Sequence, residues 1–260
     1  MSAISVRAVT KRFPNGFEAL KGVNVQISDG SFTVVLGPSG AGKSTLLRML
    51  NGLETPTSGE VRIDGALVDK DSVRRSRVRV GMVFQQFNLV DRLSVLTNVL
   101  TGRLAYRSWL GSLFYLFRQE DLAIAHEALA RVGLVDKAWS RADKLSGGQQ
   151  QRVGIARALA QQPRVILADE PVASLDPVSS DEVLTLLRQI CRRNGITVVA
   201  NLHQVELARQ FADHVIGMNS GRIVFDGVPA QLTDVALHTI YQHNDAQEAG
   251  HDLDVALAYA

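Results

Sequence analysis

The chain contains one glycine-rich run whose residue types and spacing suit the binding of a nucleoside triphosphate. The run fits the pattern G-x-x-x-x-G-K-[ST], and its members are Gly37, Pro38, Ser39, Gly40, Ala41, Gly42, Lys43, Ser44 and Thr45. Glycines allow the backbone to wrap closely around a phosphate, so that successive N–H groups point at its oxygens. We expect Lys43 to reach the β- and γ-phosphates and the Ser44 hydroxyl to bind Mg²⁺. A strand pattern before the run and a helix pattern after it favour this interpretation over a turn without function.

Two adjacent carboxylates follow a continuous apolar run later in the chain. The run 165–168 is typical of a strand buried on both faces, and Asp169 and Glu170 come directly after it. We expect Asp169 to take part in the Mg²⁺ shell, and Glu170 to align and deprotonate the attacking water. Acidic pairs at strand ends are common, so this pair indicates hydrolysis only because it lies downstream of the glycine-rich run.

A second glycine-containing segment opens a helix and offers another place for an anion. Its members, Ser146, Gly147, Gly148 and Gln149, lead directly into the helical run 153–160. A serine cap, bare backbone N–H groups and the helix dipole together favour a phosphate. One chain with one nucleotide has no evident use for two such helix starts. The pair is explained if two copies pack head to tail, with each nucleotide between 37–45 of one copy and 146–149 of the other.

The elements that must position these residues alternate between strands and helices. Apolar runs and turn signals predict strands at 3–9, 20–27, 31–36, 59–63, 78–84, 164–168, 196–201, 215–218 and 222–225. Helical spacing predicts helices from Gly42 to Gly52 and at 121–129, 179–193 and 205–211. Strand patterns vanish between about 90 and 162. We therefore expect an α/β core at 1–89 and 163–228, an inserted helical subdomain at 90–162 and a short helical tail at 229–260.

The composition is that of an ordinary soluble globular protein. The chain has 260 residues, 46% of them hydrophobic, and a net charge of +2, so its bulk does not require nucleic acid or anionic lipid as a partner. Its one cysteine, Cys191, cannot form an internal disulfide, which fits a reducing compartment. No apolar stretch approaches the ~20 residues of a membrane span, and the first residues lack the apolar segment of a signal peptide. We expect a soluble chain whose contact with any membrane is peripheral.

In these motifs and their order, the chain resembles the nucleotide-binding subunits of ABC transporters, whose signature is Leu-Ser-Gly-Gly-Gln, here Leu145 to Gln149. The likeness covers about residues 4–228. It implies an α/β fold: a P-loop NTPase (RecA-like) core with an N-terminal antiparallel β subdomain and an inserted helical subdomain. It also implies an ATPase that uses ATP with Mg²⁺ and works as a head-to-tail homodimer.

The resemblance assigns roles to four further residues. Phe13 stands where the family stacks an aromatic ring on adenine; phenylalanine replaces the frequent tyrosine, and stacking needs only a π face. Gln85 matches the glutamine that contacts Mg²⁺ and water and senses the transmembrane partner. Asp176 matches the loop that crosses the dimer interface, and His203 matches the histidine that contacts the γ-phosphate.

A finer resemblance is to the ATP-binding subunits of phosphonate importers. It rests on Gly102-Arg103-Leu104 before an aromatic segment that ends at Phe117, and on the run 167–177. It implies membrane permease subunits as direct partners and a periplasmic phosphonate-binding protein as an indirect one. It also implies a peripheral place on the cytoplasmic face of the bacterial inner membrane.

Several alternatives stay open. An ABC ATPase for another cargo, such as an amino acid, a metal or a lipoprotein, would have very similar motifs. A soluble ABC ATPase of repair, translation or a phosphonate-degrading complex would lack a permease, although such proteins usually have tandem domains, long coiled coils or metal-binding cysteines. The segment 146–149 argues against a kinase or a GTPase. The aromatic segment 109–117 either packs inside the helical subdomain or docks a membrane subunit, and the basic run 74–79 is expected to be a solvated loop and strand edge rather than a nucleic-acid site.

Overall fold

The computed structural model describes residues 2–69, 72–107 and 117–242. Its strands are β1 (Ser2–Arg12), β2 (Glu18–Ser28), β3 (Phe32–Leu36), β4 (Ser58–Ile63), β5 (Ala66–Leu67), β6 (Val80–Val83), β7 (Val165–Asp169), β8 (Thr197–Asn201), β9 (His214–Asn219) and β10 (Arg222–Gly227). Its α-helices are α1 (Lys43–Leu50), α2 (Val73–Arg79), α3 (Val95–Leu100), α4 (Gln119–Arg131), α5 (Gly147–Ala160), α6 (Pro177–Asn194), α7 (Val205–Phe211) and α8 (Asp234–Tyr241). None of the helices in these ranges is long and apolar enough to cross a membrane.

The strands form two sheets, which confirm the predicted α/β fold with an N-terminal antiparallel part. The first sheet has the order β2-β1-β4-β5, and all of its pairs are antiparallel. The second has the order β10-β9-β3-β8-β7-β6. Its strands run parallel except for β10, which returns antiparallel to β9 through a tight turn. The parallel strands are joined through helices, as crossover connections require.

Alternate residues of the central strands face two different layers. In β3, Val34 and Leu36 pack in a core that also contains side chains of α3, α4, α5 and α6. Val35, between them, packs on the opposite face with α1 and the antiparallel sheet. Strand β8 repeats the alternation, with Val198 in the first core and Val199 in the second. Because both faces of the sheet are covered, these strands are mainly apolar on both faces, which is the pattern that the sequence predicted for 165–168.

The main error in the predicted elements concerns residues 74–79. The sequence predicted a solvated loop and a strand beginning at Val78, whereas residues 73–79 form the helix α2 and the strand begins at Val80. The Arg77 guanidinium donates to the backbone oxygens of Asn51 and Gly52, at 3.3 and 2.8 Å. These contacts fix α2 at the carboxyl end of α1. A helix of seven residues with so few apolar positions carries no periodic signal, so it could not be predicted from apolar spacing.

The C-terminal part of the described chain is helical. A 3₁₀ turn at Pro229–Gln231 precedes α8, and Thr233 caps α8 by accepting from the Ala236 backbone N–H at 3.3 Å. The remainder of the predicted tail, 243–260, lies outside the described residues, as does most of the aromatic segment 109–117. The two interpretations of that segment therefore stay predictions.

Candidate active site

The predicted site residues of the core lie at one edge of the parallel sheet. Residue Gly37 directly follows β3, Gln85 lies two residues beyond β6, Glu170 directly follows β7, and His203 lies two residues beyond β8. These four strands are neighbours in the order β3-β8-β7-β6. Since the carboxyl ends of parallel strands meet at the same edge, the fold brings together segments that are far apart in the sequence.

The glycine-rich run forms a closed loop between β3 and α1. Gly42 precedes α1 with a φ of +99°, and a Cβ atom there would lie 2.6 Å from the backbone oxygen of Ala19, so this position requires glycine. The Lys43 ammonium is buried and donates to the backbone oxygens of Gly37 and Pro38, at 2.7 and 2.9 Å. The loop thus curves around the lysine that the sequence assigned to the phosphates.

The charge of Lys43 connects the loop with the two carboxylates of β7. Burial lowers the pKa of the Lys43 ammonium below its ordinary value, and the negative charges of Asp169 and Glu170 oppose that shift. A buried ammonium group attracts an anionic group such as a phosphate, and the two carboxylates offset part of that attraction.

The remaining residues of the run have simple positions. Pro38, Ser39, Gly40 and Ala41 border an open cavity of about 600 Å³, which Phe17 and Gln242 also line. Thr45 lies half-buried in the first turn of α1.

A hydroxyl, a carboxylate and an amide meet beside the loop. Ser44 Oγ donates to Asp169 Oδ1 at 2.9 Å, and the buried Asn201 donates to the same oxygen from Nδ2 at 2.7 Å. The Asn201 Oδ1 atom is buried without a hydrogen-bond partner. Hydroxyl, carboxylate and amide oxygens are the ligands that Mg²⁺ accepts, and Mg²⁺ usually takes only one or two protein ligands besides water and phosphate. The residues therefore fit Mg²⁺, although the described residues contain no group of three or more His, Cys, Asp and Glu side chains that could hold a metal.

Glu170 and His203 form a direct pair at the strand edge. The Glu170 Oε1 atom lies 2.7 Å from His203 Nε2, and both side chains are partly open to solvent. Glu170 has a φ of +49°, the left-handed region that residues other than glycine seldom adopt. Such a conformation costs about 1–3 kcal/mol and is found mostly where the surrounding structure imposes it for function. The geometry thus aims the Glu170 carboxylate at the histidine predicted to act with it.

Gln85 is exposed on the loop after β6, and a neighbouring helix fixes the start of that loop. Gln151 is fully buried in the signature helix α5, and its Nε2 donates to the backbone oxygens of Phe84 at 3.4 Å and Pro171 at 2.7 Å. Phe84 directly precedes Gln85, and Pro171 directly follows Glu170, so the Gln151 side chain links the two segments. Sequence reasoning missed Gln151; a polar residue on the apolar face of a helix was the available signal.

Phe13 lies near a second aromatic ring, that of Phe17, which was not among the predicted site residues. The Phe13 and Phe17 rings are almost parallel, 12° apart, with centroids 6.5 Å from each other, and Lys11 Nζ lies 5.1 Å from the centre of the Phe13 ring. Phe17 is 56% exposed, so a π face for stacking is accessible at this edge.

The signature segment begins α5 as predicted and contacts the loop before α6. Ser146 and Gln149 form a reciprocal cap, in which each side chain accepts a hydrogen bond from the backbone N–H of the other, at 3.4 and 3.1 Å. A Cβ atom at Gly147 would lie 3.3 Å from the Leu175 side chain. In the described chain no hydrogen bond or ion pair joins 146–149 to 37–45. The two predicted phosphate-binding segments thus remain separate within one chain.

Asp176 caps the helix α6. Its Oδ1 accepts from the Ser179 backbone N–H at 3.0 Å, and hydrogen bonds from Ser179 lower the pKa of the Asp176 carboxyl. Asp176 is exposed, so its carboxylate can meet a second molecule while it holds the helix start.

Comparison with known proteins identifies the family that this fold and this strand edge define. Residues 20–173, more than half of the chain, match the family described as "ABC transporter". The chain belongs to the ABC transporter family, and the resemblance seen in its motifs is confirmed.

Individual relatives are similar over most or all of their length. The phosphonates import ATP-binding protein PhnC of Thiobacillus denitrificans is 75% identical over 260 residues, which cover all of both chains. The phosphite import ATP-binding protein PxtA of Stutzerimonas stutzeri is 58% identical over 230 residues, 88% of this chain and 83% of that one. Among solved structures, the cassette MJ0796, described as dimeric and bound to ADP and phosphate, has a TM-score of 0.75 and 37% identity over 87% of this chain and 98% of its own. The cassette cbiO1 from Clostridium perfringens has a TM-score of 0.80 and 28% identity over 97% and 99%.

Proposed function

We propose that this chain is the ATP-hydrolysing subunit of an ABC importer for phosphonates. The observation that carries the ATPase part is the strand edge itself, where Lys43, the pair Ser44–Asp169 and the pair Glu170–His203 face the same space. The cargo follows from the full-length similarity to a phosphonate import protein.

The catalytic roles follow from these contacts. Lys43 binds the β- and γ-phosphates. Before the nucleotide binds, its hydrogen bonds to the backbone oxygens of Gly37 and Pro38 hold it in the loop. Bound Mg²⁺ would neutralise charge on the phosphates, with Ser44, Asp169 and Gln85 as its protein contacts. Glu170 aligns the attacking water and takes its proton. His203, whose Nε2 lies 2.7 Å from Glu170 Oε1, contacts the γ-phosphate.

Two copies complete two sites. On one side, each nucleotide is bound by Phe13, which stacks on adenine, and by residues 37–45. On the other side, it is bound by Ser146, Gly147, Gly148 and Gln149 of the second copy, and Asp176 lies at the interface between the copies. Support comes from the separation of the two segments within the chain and from the dimeric relative. Loss of the γ-phosphate removes the charge that joins the two halves, and the dimer opens.

The division of labour along the chain is part of the same proposal. Residues 1–89 and 163–228 form the ATP-binding core, 90–162 the helical subdomain that carries the signature, and 229–260 a short tail. The Gln85 loop and the helical subdomain pass the opening to membrane permease subunits at the cytoplasmic face of the inner membrane, where a periplasmic phosphonate-binding protein supplies the cargo.

The ATPase part is tested with Glu170→Gln in purified protein. We expect hydrolysis to fall at least ~100-fold while ATP is still bound, because the carboxylate base is lost and the phosphate contacts remain. Light scattering should then detect a stable dimer only when ATP is present. The matched control is Glu182→Gln, an exposed carboxylate on α6, which should hydrolyse ATP at the wild-type rate. Full hydrolysis by Glu170→Gln would remove Glu170 from its role.

The transport part is tested by growth and by partner recovery. A bacterial strain whose own phosphonate importer is deleted should grow on a phosphonate as sole phosphorus source when this chain is supplied with its permease and binding protein. Growth on phosphite alone would favour the second candidate cargo, which the 58% identity to a phosphite import protein suggests. A pull-down with Glu170→Gln and ATP should recover a polytopic membrane protein; recovery of soluble enzymes alone would contradict the importer while leaving the ATPase intact.

A further inference from the structure

The C-terminal helix α8 ends against the strand edge that carries the candidate active site. Ile240 is fully buried and lies over Gly217 of β9, where a Cβ atom would come within 2.5 Å of the isoleucine side chain. Asn219, at the end of β9, donates from Nδ2 to the backbone oxygens of Thr239, Ile240 and Gln242, at 3.3, 3.1 and 2.8 Å. The missing side chain at 217 and the amide at 219 together fix the last turn of α8 on the sheet.

This placement brings the Tyr241 hydroxyl to the segment of the site that carries His203. Its Oη atom donates to the backbone oxygen of His203 at 3.3 Å. Burial raises the pKa of the Tyr241 hydroxyl. The phenol oxygen therefore contacts the residue that pairs with Glu170, from a helix that is fixed on β9.

We propose that Tyr241 is a positioning residue for ATP hydrolysis, which holds the His203 loop at a fixed distance from α8 and from the strand β9 on which α8 packs. The inference rests on the proposed function of Glu170 and His203. Because the His203 imidazole lies 2.7 Å from the Glu170 carboxylate, a shift of the His203 backbone moves the group that contacts the catalytic base. Tyr241 acts on hydrolysis only through that backbone, and α8 becomes part of the active-site frame.

An ordinary packing role for Tyr241 makes a different prediction. If the hydroxyl only stabilised α8, its loss would lower the melting temperature and affect ATP binding and hydrolysis together. If it positions His203, its loss lowers kcat with little change in KM, and the loss depends on the His203 side chain. In His203→Ala the backbone oxygen that Tyr241 contacts is still present, but the imidazole that transmits its position is gone.

The experiment is a double-mutant cycle on the full chain. Tyr241→Phe should lower kcat about 5-fold, the effect of one hydrogen bond, and change KM less than about 2-fold. In the His203→Ala background the same substitution should change the single-turnover rate less than about 2-fold, because residues that act through one another are not additive. Val235→Ala is the matched control on α8, since Val235 is 77% exposed, and it should leave all rates unchanged.

Each other outcome decides against one specific statement. Equal losses from Tyr241→Phe in both backgrounds, or no loss in the wild-type background, overturn the positioning role. Absence of ATP hydrolysis by the wild-type chain contradicts the proposed function instead. If Tyr241→Phe does not fold, Asn219→Ala provides a second route, because it releases the last turn of α8 without altering the phenol. It should reproduce the fall in kcat and its dependence on His203, and an unchanged kcat overturns the proposal.

Discussion

Asp121 is a fully buried carboxylate whose removal should cost this protein several kcal/mol of stability. Its side chain is 1% exposed and accepts from Arg103 Nε at 3.0 Å, from the Arg107 guanidinium, and from the Arg118 backbone N–H at 3.0 Å. Arg103 also donates to the backbone oxygen of Ala160, the last residue of the signature helix α5, at 3.0 Å. One carboxylate therefore neutralises two buried guanidinium groups and fixes the start of α4 to the end of α5.

We predict that Asp121→Asn lowers the free energy of unfolding by about 3–5 kcal/mol, the usual cost of leaving buried charges without their partner. The isosteric amide keeps the volume, so the loss arises from the two uncompensated guanidinium groups and not from a cavity. The measurement is urea denaturation followed by circular dichroism. With a denaturant slope of about 3 kcal/mol per molar urea, the midpoint should fall by about 1 M or more.

The matched control lies on the same helix. Glu127 pairs with Arg131 at 2.5 Å across one turn of α4, but the Glu127 and Arg131 side chains are 63% and 39% exposed. Glu127→Gln should therefore change the free energy of unfolding by less than about 0.5 kcal/mol. Adding Arg107→Met to Asp121→Asn should recover part of the loss, since it removes one unpaired buried charge. A loss below about 1 kcal/mol for Asp121→Asn, or an equal loss for Glu127→Gln, would refute the burial argument.

Three further outcomes follow from the site. Gly42→Ala should weaken the binding of a fluorescent ATP analogue at least ~10-fold, because its Cβ atom would lie 2.6 Å from the Ala19 backbone oxygen at a φ of +99°; wild-type affinity would contradict the closed loop geometry. Gln151→Leu should lower kcat about 5-fold or more, since two buried carbonyls on either side of the site lose their donor, and unchanged steady-state kinetics would remove Gln151 from its linking role. Burial lowers the pKa of Lys43 below 10.5, so between the lowered pKa and 10.5 the unfolded chain binds more protons than the folded chain, and the contribution of Lys43 to stability rises with pH. Urea titrations at several alkaline pH values should therefore show a flatter pH dependence of the free energy of unfolding for Lys43→Met than for the wild type. Parallel pH curves for the two proteins would count against the lowered pKa.

The fold could be predicted largely from periodicity and turn signals, and the misses have physical causes. The strands of the parallel sheet are apolar on both faces, and the helices α6 and α7 are amphipathic or well capped, so their patterns were clear. Helix α6 begins at Pro177, two residues earlier than the predicted 179, because the Asp176 cap and the proline are local signals that periodicity does not count. Helix α2 escaped detection because contacts of Arg77 with the end of α1, not its own sequence, hold it in place.

Residues of the candidate site that are assigned a chemical role could be predicted from the sequence, whereas residues that position them could not. Lys43, Asp169 and Glu170 could be predicted as candidates, because a lysine that closes a glycine-rich run and an acidic pair after an apolar strand are sequence patterns that phosphate and water chemistry requires. Asn201 and Tyr241 could not be predicted, because amides and phenols occur at many positions outside functional sites. The role of each depends on which residues the fold places beside it. Asn201 reaches Asp169 because the two residues are paired partners in β8 and β7, and Tyr241 reaches His203 because Gly217 leaves room for α8. Register and close approach are tertiary properties, so a positioning residue becomes recognisable only when the strand that it serves has been placed beside its neighbour.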